Sequence, residues 1–193
     1  LMKIQYSFFT ILFLVSFFIN AQNLHLKTDK STLKWTGKQI TTKTHFGSLK
    51  FKSGNIIFEN GIISSGKFLV DMTSLLVEDL QGNYKQKLEG HLKSDDFFSV
   101  EKFNESSLTI LSSSKNDSGL DVNGSLTIKG ITLPIKFKLE DLEMDQEEVR
   151  WKGVLTFDRS KYNVRFRSGS FFQNLGDKLI LDEIRIETLL DFY

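Results

Sequence analysis

Between Gly119 and Leu139, apolar and polar residues alternate on both sides of a two-residue interruption at Lys129-Gly130. Leu120, Val122, Leu126 and Ile128 share one parity before the interruption; Ile131, Leu133, Ile135, Phe137 and Leu139 share one after it. A period of two puts alternate side chains on opposite faces of a pleated strand, so this is a hairpin with one oily face and one wet face. The same parity recurs in Val149, Trp151, Gly153, Leu155 and Phe157, with Arg150, Lys152, Thr156 and Asp158 opposite. A long antiparallel meander patterned this way makes a barrel or a sandwich. Its apolar interior is then either a packed core or a container for something greasy.

Strands are expected at about 24–28, 32–38, 44–51, 54–59, 62–72, 106–112, 119–129, 131–140, 147–158 and 178–191. Turn signals separate them at Ser53-Gly54-Asn55, Glu59-Asn60-Gly61, Asn116-Asp117-Ser118-Gly119 and Lys129-Gly130. Asn60-Gly61 is the strongest of these, because both residues tolerate the positive φ of a two-residue hairpin turn. Gly37, Gly47, Gly66, Gly124 and Gly153 fall inside strands, where glycine permits sharp coiling. One segment, Ser74 to Val100, is different. Asp79, Leu80, Tyr84, Leu88, His91 and Leu92 recur at helical spacing, Gly90 marks a break, and Ser94 or Asp95 caps a turn into Phe97-Phe98. The fold class is therefore all-β with a short helical insertion between residues 74 and 100, its greasy side against one mouth of the sheet structure.

The first 21 residues read as a cleaved signal peptide. Lys3 is followed by an apolar run from Phe8 to Ile19 and a small residue at Ala21, in the order export requires. The run is short for a membrane span. Residues 22–193 then form a single domain, long enough to bury a full core. The chain has no Cys, so neither a disulfide framework nor thiol chemistry is available to it. Lys3 is the one charged residue of the leader, so the remainder carries 24 basic and 24 acidic groups. That balance argues against a nucleic-acid partner, whose footprint is a basic stripe. The abundance of Phe, 18 residues in all, is by itself ordinary strand propensity and points to core.

No nucleophile elbow, metalloprotease helix, phosphate loop or dinucleotide fingerprint is present. Among the three His residues, His45 and His91 could meet in space and, with Asp95 or Asp96, hold a metal or act as a base; a loop-capping role explains each more simply. Met72 and Trp151 lie on apolar strand parities, which favours core over a cofactor site. The stretch Phe157 to Phe172 mixes Arg159, Lys161, Arg165 and Arg167 with Tyr162, Phe166, Phe171 and Phe172. It reads either as a rim where Arg165 or Arg167 meets the polar head of an amphiphile, or as arginines paired with nearby acids across a loop.

The order Trp35-Thr-Gly-Lys, His45-Phe-Gly-Ser-Leu, Gly66-Lys-Phe-Leu-Val-Asp-Met, His91-Leu-Lys-Ser-Asp-Asp-Phe-Phe and Gly124-Ser-Leu-Thr-Ile-Lys-Gly resembles the YceI-like family of exported lipid- or polyisoprenoid-binding proteins. The likeness covers about residues 24–191, and Tyr162-Asn-Val-Arg with Ser168-Gly-Ser-Phe-Phe resembles its Bacteroidetes-type branch. The resemblance implies a single antiparallel lipocalin-like β-barrel of about eight strands, with an apolar tunnel for an isoprenoid or acyl chain. It also implies a homodimer as the partner state and supplies no catalytic residue. Ser99-Val-Glu-Lys-Phe lacks a Pro common in that family after this point.

The function expected is a periplasmic or secreted carrier of a long apolar lipid, not an enzyme, with no cofactor and no metal. Inward parity nominates Phe68, Val70, Met72, Leu126, Ile128, Leu133, Ile135, Phe137, Trp151, Leu155 and Phe157 for the lining, and His45, His91, Arg165 and Arg167 for the rim or head group. Two other functions stay open: an enzyme acting on a lipid through His45 and His91, and a stress or structural module with a filled barrel.

Overall fold

The computed structural model describes residues 21–41, 43–144 and 149–193. The expected leader, residues 1–21, lies outside these except for Ala21. Among the described residues nine strands form one antiparallel sheet: β1 (Ala21–His25), β2 (Thr32–Gln39), β3 (Thr44–Glu59), β4 (Ile62–Val77), β5 (Glu105–Asn116), β6 (Gly119–Ile128), β7 (Ile131–Met144), β8 (Val149–Asp158) and β9 (Ile180–Phe192). The order β2-β9-β8-β7-β6-β5-β4-β3 closes on itself through β2–β3 and β3–β4 pairing, giving an eight-stranded barrel. β1 pairs with the far half of β3, end to end with β2. A helix, α1 (Gly82–Lys93), joins β4 to β5.

The alternation anticipated in β6 is present residue by residue: Leu120, Val122, Gly124, Leu126 and Ile128 are buried, and Asn123 between them is exposed. Both two-residue hairpins form as expected. Asn60-Gly61 and Lys129-Gly130 each take positive φ at both positions, 54° and 78° in one and 50° and 73° in the other, which matches the twist of the flanking strands. The expected turn at Ser53-Gly54-Asn55 is instead the middle of one sixteen-residue strand, with a register shift between Phe51 and Ser53. Gly54 is there for close approach, since a Cβ would sit 2.7 Å from Phe68 Cδ1 and 2.9 Å from Leu26 Cβ. Gly90 likewise does not break α1, which runs on to Lys93 and ends where the Ser94 N–H donates to the Gly90 and His91 carbonyls. The helix buries Leu92 and rests Leu88 against Trp35, Leu75, Val77, Phe97 and Val164, while Tyr84 points to solvent.

The barrel has two unlike ends. One carries the Asn60-Gly61 turn, the two-residue loop at Asp117-Ser118 and β1. There Trp151 and Phe192 are fully buried, edge to face at 5.6 Å, with Phe58 against Trp151 at 5.5 Å, and Ile56, Ile63 and Val122 fill the remainder. The other end carries the long connections, α1 and the β8–β9 segment, and is not filled in this way.

β7 is bound to β6 along its length, from Ile128↔Ile131 to Gly119↔Glu140. Its ladder to β8 starts only at Lys138↔Val154, so Ile131 to Phe137 form a free edge. Counting from the Lys129-Gly130 turn, the main-chain groups of Thr132, Pro134 and Lys136 face away from β6. Pro134, which has no N–H to offer, sits where no ladder needs one.

Candidate functional site

An apolar cavity of about 320 Å³ occupies the barrel between the aromatic floor and the long connections. That size falls near the lower end of the range of about 300–1,000 Å³ usual for small-molecule sites. Of the residues nominated from parity, Phe68, Val70, Met72, Leu126, Ile128, Phe137, Leu155 and Phe157 line it. Three do not. Trp151 faces inward but at the wrong height: it is fully buried in the floor, its indole N–H donating to Asp141 Oδ1 at 2.7 Å. Leu133 and Ile135 also face inward, but on the free edge of β7, where they pack against the cluster of Leu126, Ile128, Phe157, Tyr162 and Ile184 without lining the cavity.

Much of the lining was not nominated. β2 supplies Leu33 and Trp35, β3 Leu49 and Phe51, and β9 Ile184, Ile186 and Leu190. A period-two signal is present in both Leu33/Trp35 and Ile184/Ile186/Leu190, so parity could have found them. Leu88, Leu92, Phe97, Phe98 and Phe166 close over the cavity from α1, the turn after it and the β8–β9 connection. That contribution has no strand parity and depends on where the connections fold back.

Toward the open end the wall becomes polar. Lys38, Gln39, His45, His91 and Arg167 line the cavity there. His45 Nδ1 lies 2.7 Å from Asp79 Oδ2, whose other oxygen accepts the Phe46 N–H at 3.1 Å. The carboxylate beside His45 is thus Asp79, and neither Asp95 nor Asp96; Asp95 is exposed and paired with Lys102 at 2.8 Å. His91 stands edge-on to Phe166 at 4.3 Å and Phe97 at 5.6 Å, and its Nε2 is buried without a hydrogen-bond partner. Among the described residues no three His, Cys, Asp or Glu side chains gather in a metal-binding cluster. Arg165 is outside the cavity, donating to Asn163 Oδ1 and stacked on Phe171 at 4.8 Å.

The β8–β9 connection is held by a buried cation. Arg159 is fully buried; it donates to the carbonyls of Val164, Phe166, Ile180 and Leu181, pairs with Asp182 at 3.2 Å, and lies over the Phe97 ring at 5.3 Å. Burial pulls its pKa below the usual arginine value, with Asp182 opposing. Asp182 in turn accepts from Ser168 and Ser170. Of the basic and aromatic cluster between Phe157 and Phe172, Arg159 is therefore scaffold, Arg167 reaches the cavity, and Arg165 and Lys161 face solvent.

A family model described as YceI-like domain matches residues 24–192. The curated relatives include Protein YceI of Salmonella arizonae and of Salmonella newport, each 27% identical over 131 residues, which is 68% of this chain and 65% of the relative. The aligned region thus spans about two thirds of those relatives' length. Among solved structures, Burkholderia cenocepacia BcnA superposes with a TM-score of 0.69 at 19% identity, covering 86% of this chain and 98% of the other. A polyisoprenoid binding domain from Saccharophagus degradans gives 0.60 at 12% identity, with 88% and 97% covered. The Campylobacter jejuni YCEI protein gives 0.56 at 16% identity, with 98% and 97% covered. At these identities the structural likeness speaks to the fold.

Proposed function

This chain belongs to the YceI-like domain family, and on that footing we propose that it is an exported carrier that holds a long apolar lipid, of isoprenoid or acyl type, inside its barrel. The observation that carries the reading is the 320 Å³ cavity lined by Phe68, Met72, Leu126, Phe137 and Phe157 and open where the wall turns polar. Burying a methylene group contributes about 0.8 kcal/mol. Association costs of several kcal/mol are therefore met by a chain of roughly ten or more such groups with little polar recognition. The solved Saccharophagus degradans neighbour is named for polyisoprenoid binding, which agrees with a cargo of this class.

The polar atoms of the open end suit a head group better than a reaction. His45 is engaged by Asp79, and His91 stands among aromatic rings with one free nitrogen. In this reading His91 and Arg167 receive the polar end of the lipid while Arg165 flanks the entrance. Export through the leader, and hence a periplasmic or secreted location, is part of the proposal. Native mass spectrometry with organic extraction tests it on the protein as the cell delivers it. An adduct that extracts as a prenyl or acyl species is the expected result. A bare mass, together with no uptake of added prenyl or acyl lipid, overturns it.

A further inference from the structure

On the barrel wall, ion-paired cations such as Lys52 with Glu105, Lys152 with Glu140 and Arg185 with Glu187 are interspersed with ones such as Lys34, Lys50 and Lys67 that have no ion pair among the described residues. At the open end cations without an ion pair among the described residues gather: Lys38 at the end of β2, Lys43 on the β2–β3 connection, and Arg165, Arg167 and Lys178 on the β8–β9 connection. Between Asn163 and Leu179 the single acidic residue is Asp177, whose carbonyl accepts from Gln39 Nε2 at 2.8 Å. Of the acids around the opening, Asp79 is bonded to His45, Asp95 is taken by Lys102, and Asp96 is exposed.

Large apolar side chains are exposed among those cations. Ile40 is 54% exposed, Phe171 42% and Phe172 49%. The two connections that carry them are joined by Ile40 N–H to Leu179 O at 3.0 Å, and the β8–β9 connection is tied back on itself by Ile180 N–H to Arg167 O at 2.9 Å. Arg167 lies over Phe166 at 5.0 Å, and both residues also line the cavity. The rim's apolar surface is therefore continuous with the barrel interior.

From this we propose that the rim docks on an anionic lipid bilayer, setting the opening against the acyl layer so that cargo enters and leaves without crossing water. Unpaired cations interleaved with exposed aromatic and branched side chains match the bilayer's layering, with anionic head groups outside and hydrocarbon beneath. The balanced total charge conceals this, because the stretch 163–179 alone carries three cations, Arg165, Arg167 and Lys178, against one acid, Asp177. The purpose of docking rests on the lipid-carrier reading of the cavity, but the contact itself is measured separately.

The chain has no Cys, so one introduced thiol carries one dye. An environment-sensitive fluorophore is placed on Gln173→Cys at the rim or on Asp117→Cys at the closed end, in chains with the same N-terminus. With vesicles of equimolar phosphatidylglycerol and phosphatidylcholine, the rim dye shifts to the blue and is quenched by bilayer nitroxides, and added salt reverses this. The closed-end dye does not respond. Lys43→Glu with Lys178→Glu weakens vesicle binding by about tenfold or more and leaves uptake of an apolar fluorescent probe into the cavity unchanged. A silent rim dye, an equal response at both ends, or undiminished binding by the charge-reversed variant overturns the proposal. A rim that responds in a protein taking up no probe supports docking and removes the carrier reading instead.

Discussion

The closed and open ends of this barrel are built from the same eight strands, yet one is a core and the other a container. At the closed end, the Asn60-Gly61 turn, the Asp117-Ser118 loop and β1 border an interior that is filled. Trp151, Phe192 and Phe58 meet edge to face, and Trp151 finds a polar partner in Asp141. Asp191 is buried there with Lys27 and Arg150, each 3.0 Å away. At the open end α1 and the β8–β9 connection are long and lie over the barrel beside the tight Lys129-Gly130 turn. The cavity stays empty of side chains, and a buried nitrogen of His91 goes without a partner. Stability and binding are thus separated along the barrel axis, and substitutions at the two ends should separate them too.

The largest expected effect is at the floor. Trp151→Ala removes the most voluminous fully buried side chain, and it should cost about 4 kcal/mol. Urea denaturation measures this, and the folded fraction should still take up an apolar probe. Loss of uptake at unchanged stability would place the binding region at the floor and break the comparison. Next is Asp191→Asn, expected to cost about 2 kcal/mol because two charge-assisted bonds are lost. Burial pushes the Asp191 carboxyl up, but the hydrogen bonds from Lys27 and Arg150 outweigh it and hold the group below its ordinary value. With a depressed folded pKa, its contribution is complete above the unfolded value of about 3.9 and drains away as pH falls through the lower folded one. The melting temperature of the wild type should therefore fall below about pH 4 more steeply than that of the variant. Parallel acid curves would show that this pair is not the closed end's acid-sensitive clasp.

Parity in the sequence identifies a face but not a height, and that explains which parts were readable. Strand alternation and the Asn60-Gly61 and Lys129-Gly130 turns were enough for an antiparallel sheet with one oily side. Closure into eight strands followed from family resemblance, and the structure agrees. Trp151 has the right parity and lies in the floor; Leu133 and Ile135 have it and lie on a free edge. Whether an inward side chain meets a cavity depends on its level along the axis and on what packs across from it, and neither is written locally. Gly54 reads as a turn residue because the sequence cannot show that Phe68 and Leu26 crowd it from other strands. The pairing of His45 with Asp79 joins positions 34 residues apart through the fold, and no local spacing announces it; Asp95 and Asp96 adjoin His91 in the sequence, not His45.

A matched pair of substitutions sharpens the comparison at smaller magnitude. Val122 is 1% exposed in the closed end, so Val122→Phe overpacks it and should cost about 1–3 kcal/mol. Val70 lines the cavity, where an added ring meets space instead of neighbours. Val70→Phe should change stability by less than about 0.5 kcal/mol, yet lower the affinity for an apolar probe by about tenfold, since it occupies room the ligand needs. Equal costs at the two positions, read from denaturant midpoints, would mean that the open half is as tightly packed as the floor.

The smallest effect concerns the wall where β7 leaves β8. If Pro134 lies on a free edge, replacing it with Thr restores an N–H that has nothing to bond. The expected result is then a slight loss, about 0.4–1 kcal/mol, because the unfolded chain regains freedom that proline denied it. If β8 instead reached this edge in solution, the new donor would complete a ladder bond worth about 1 kcal/mol and the loss would shrink or reverse. Hydrogen exchange gives an independent reading: the amides of Thr132 and Lys136 should exchange faster than those of Leu133 and Ile135, which face β6. The sign of one small stability change and the order of four exchange rates thus decide whether the open half is bounded by a continuous sheet or by a wall closed in part by side chains.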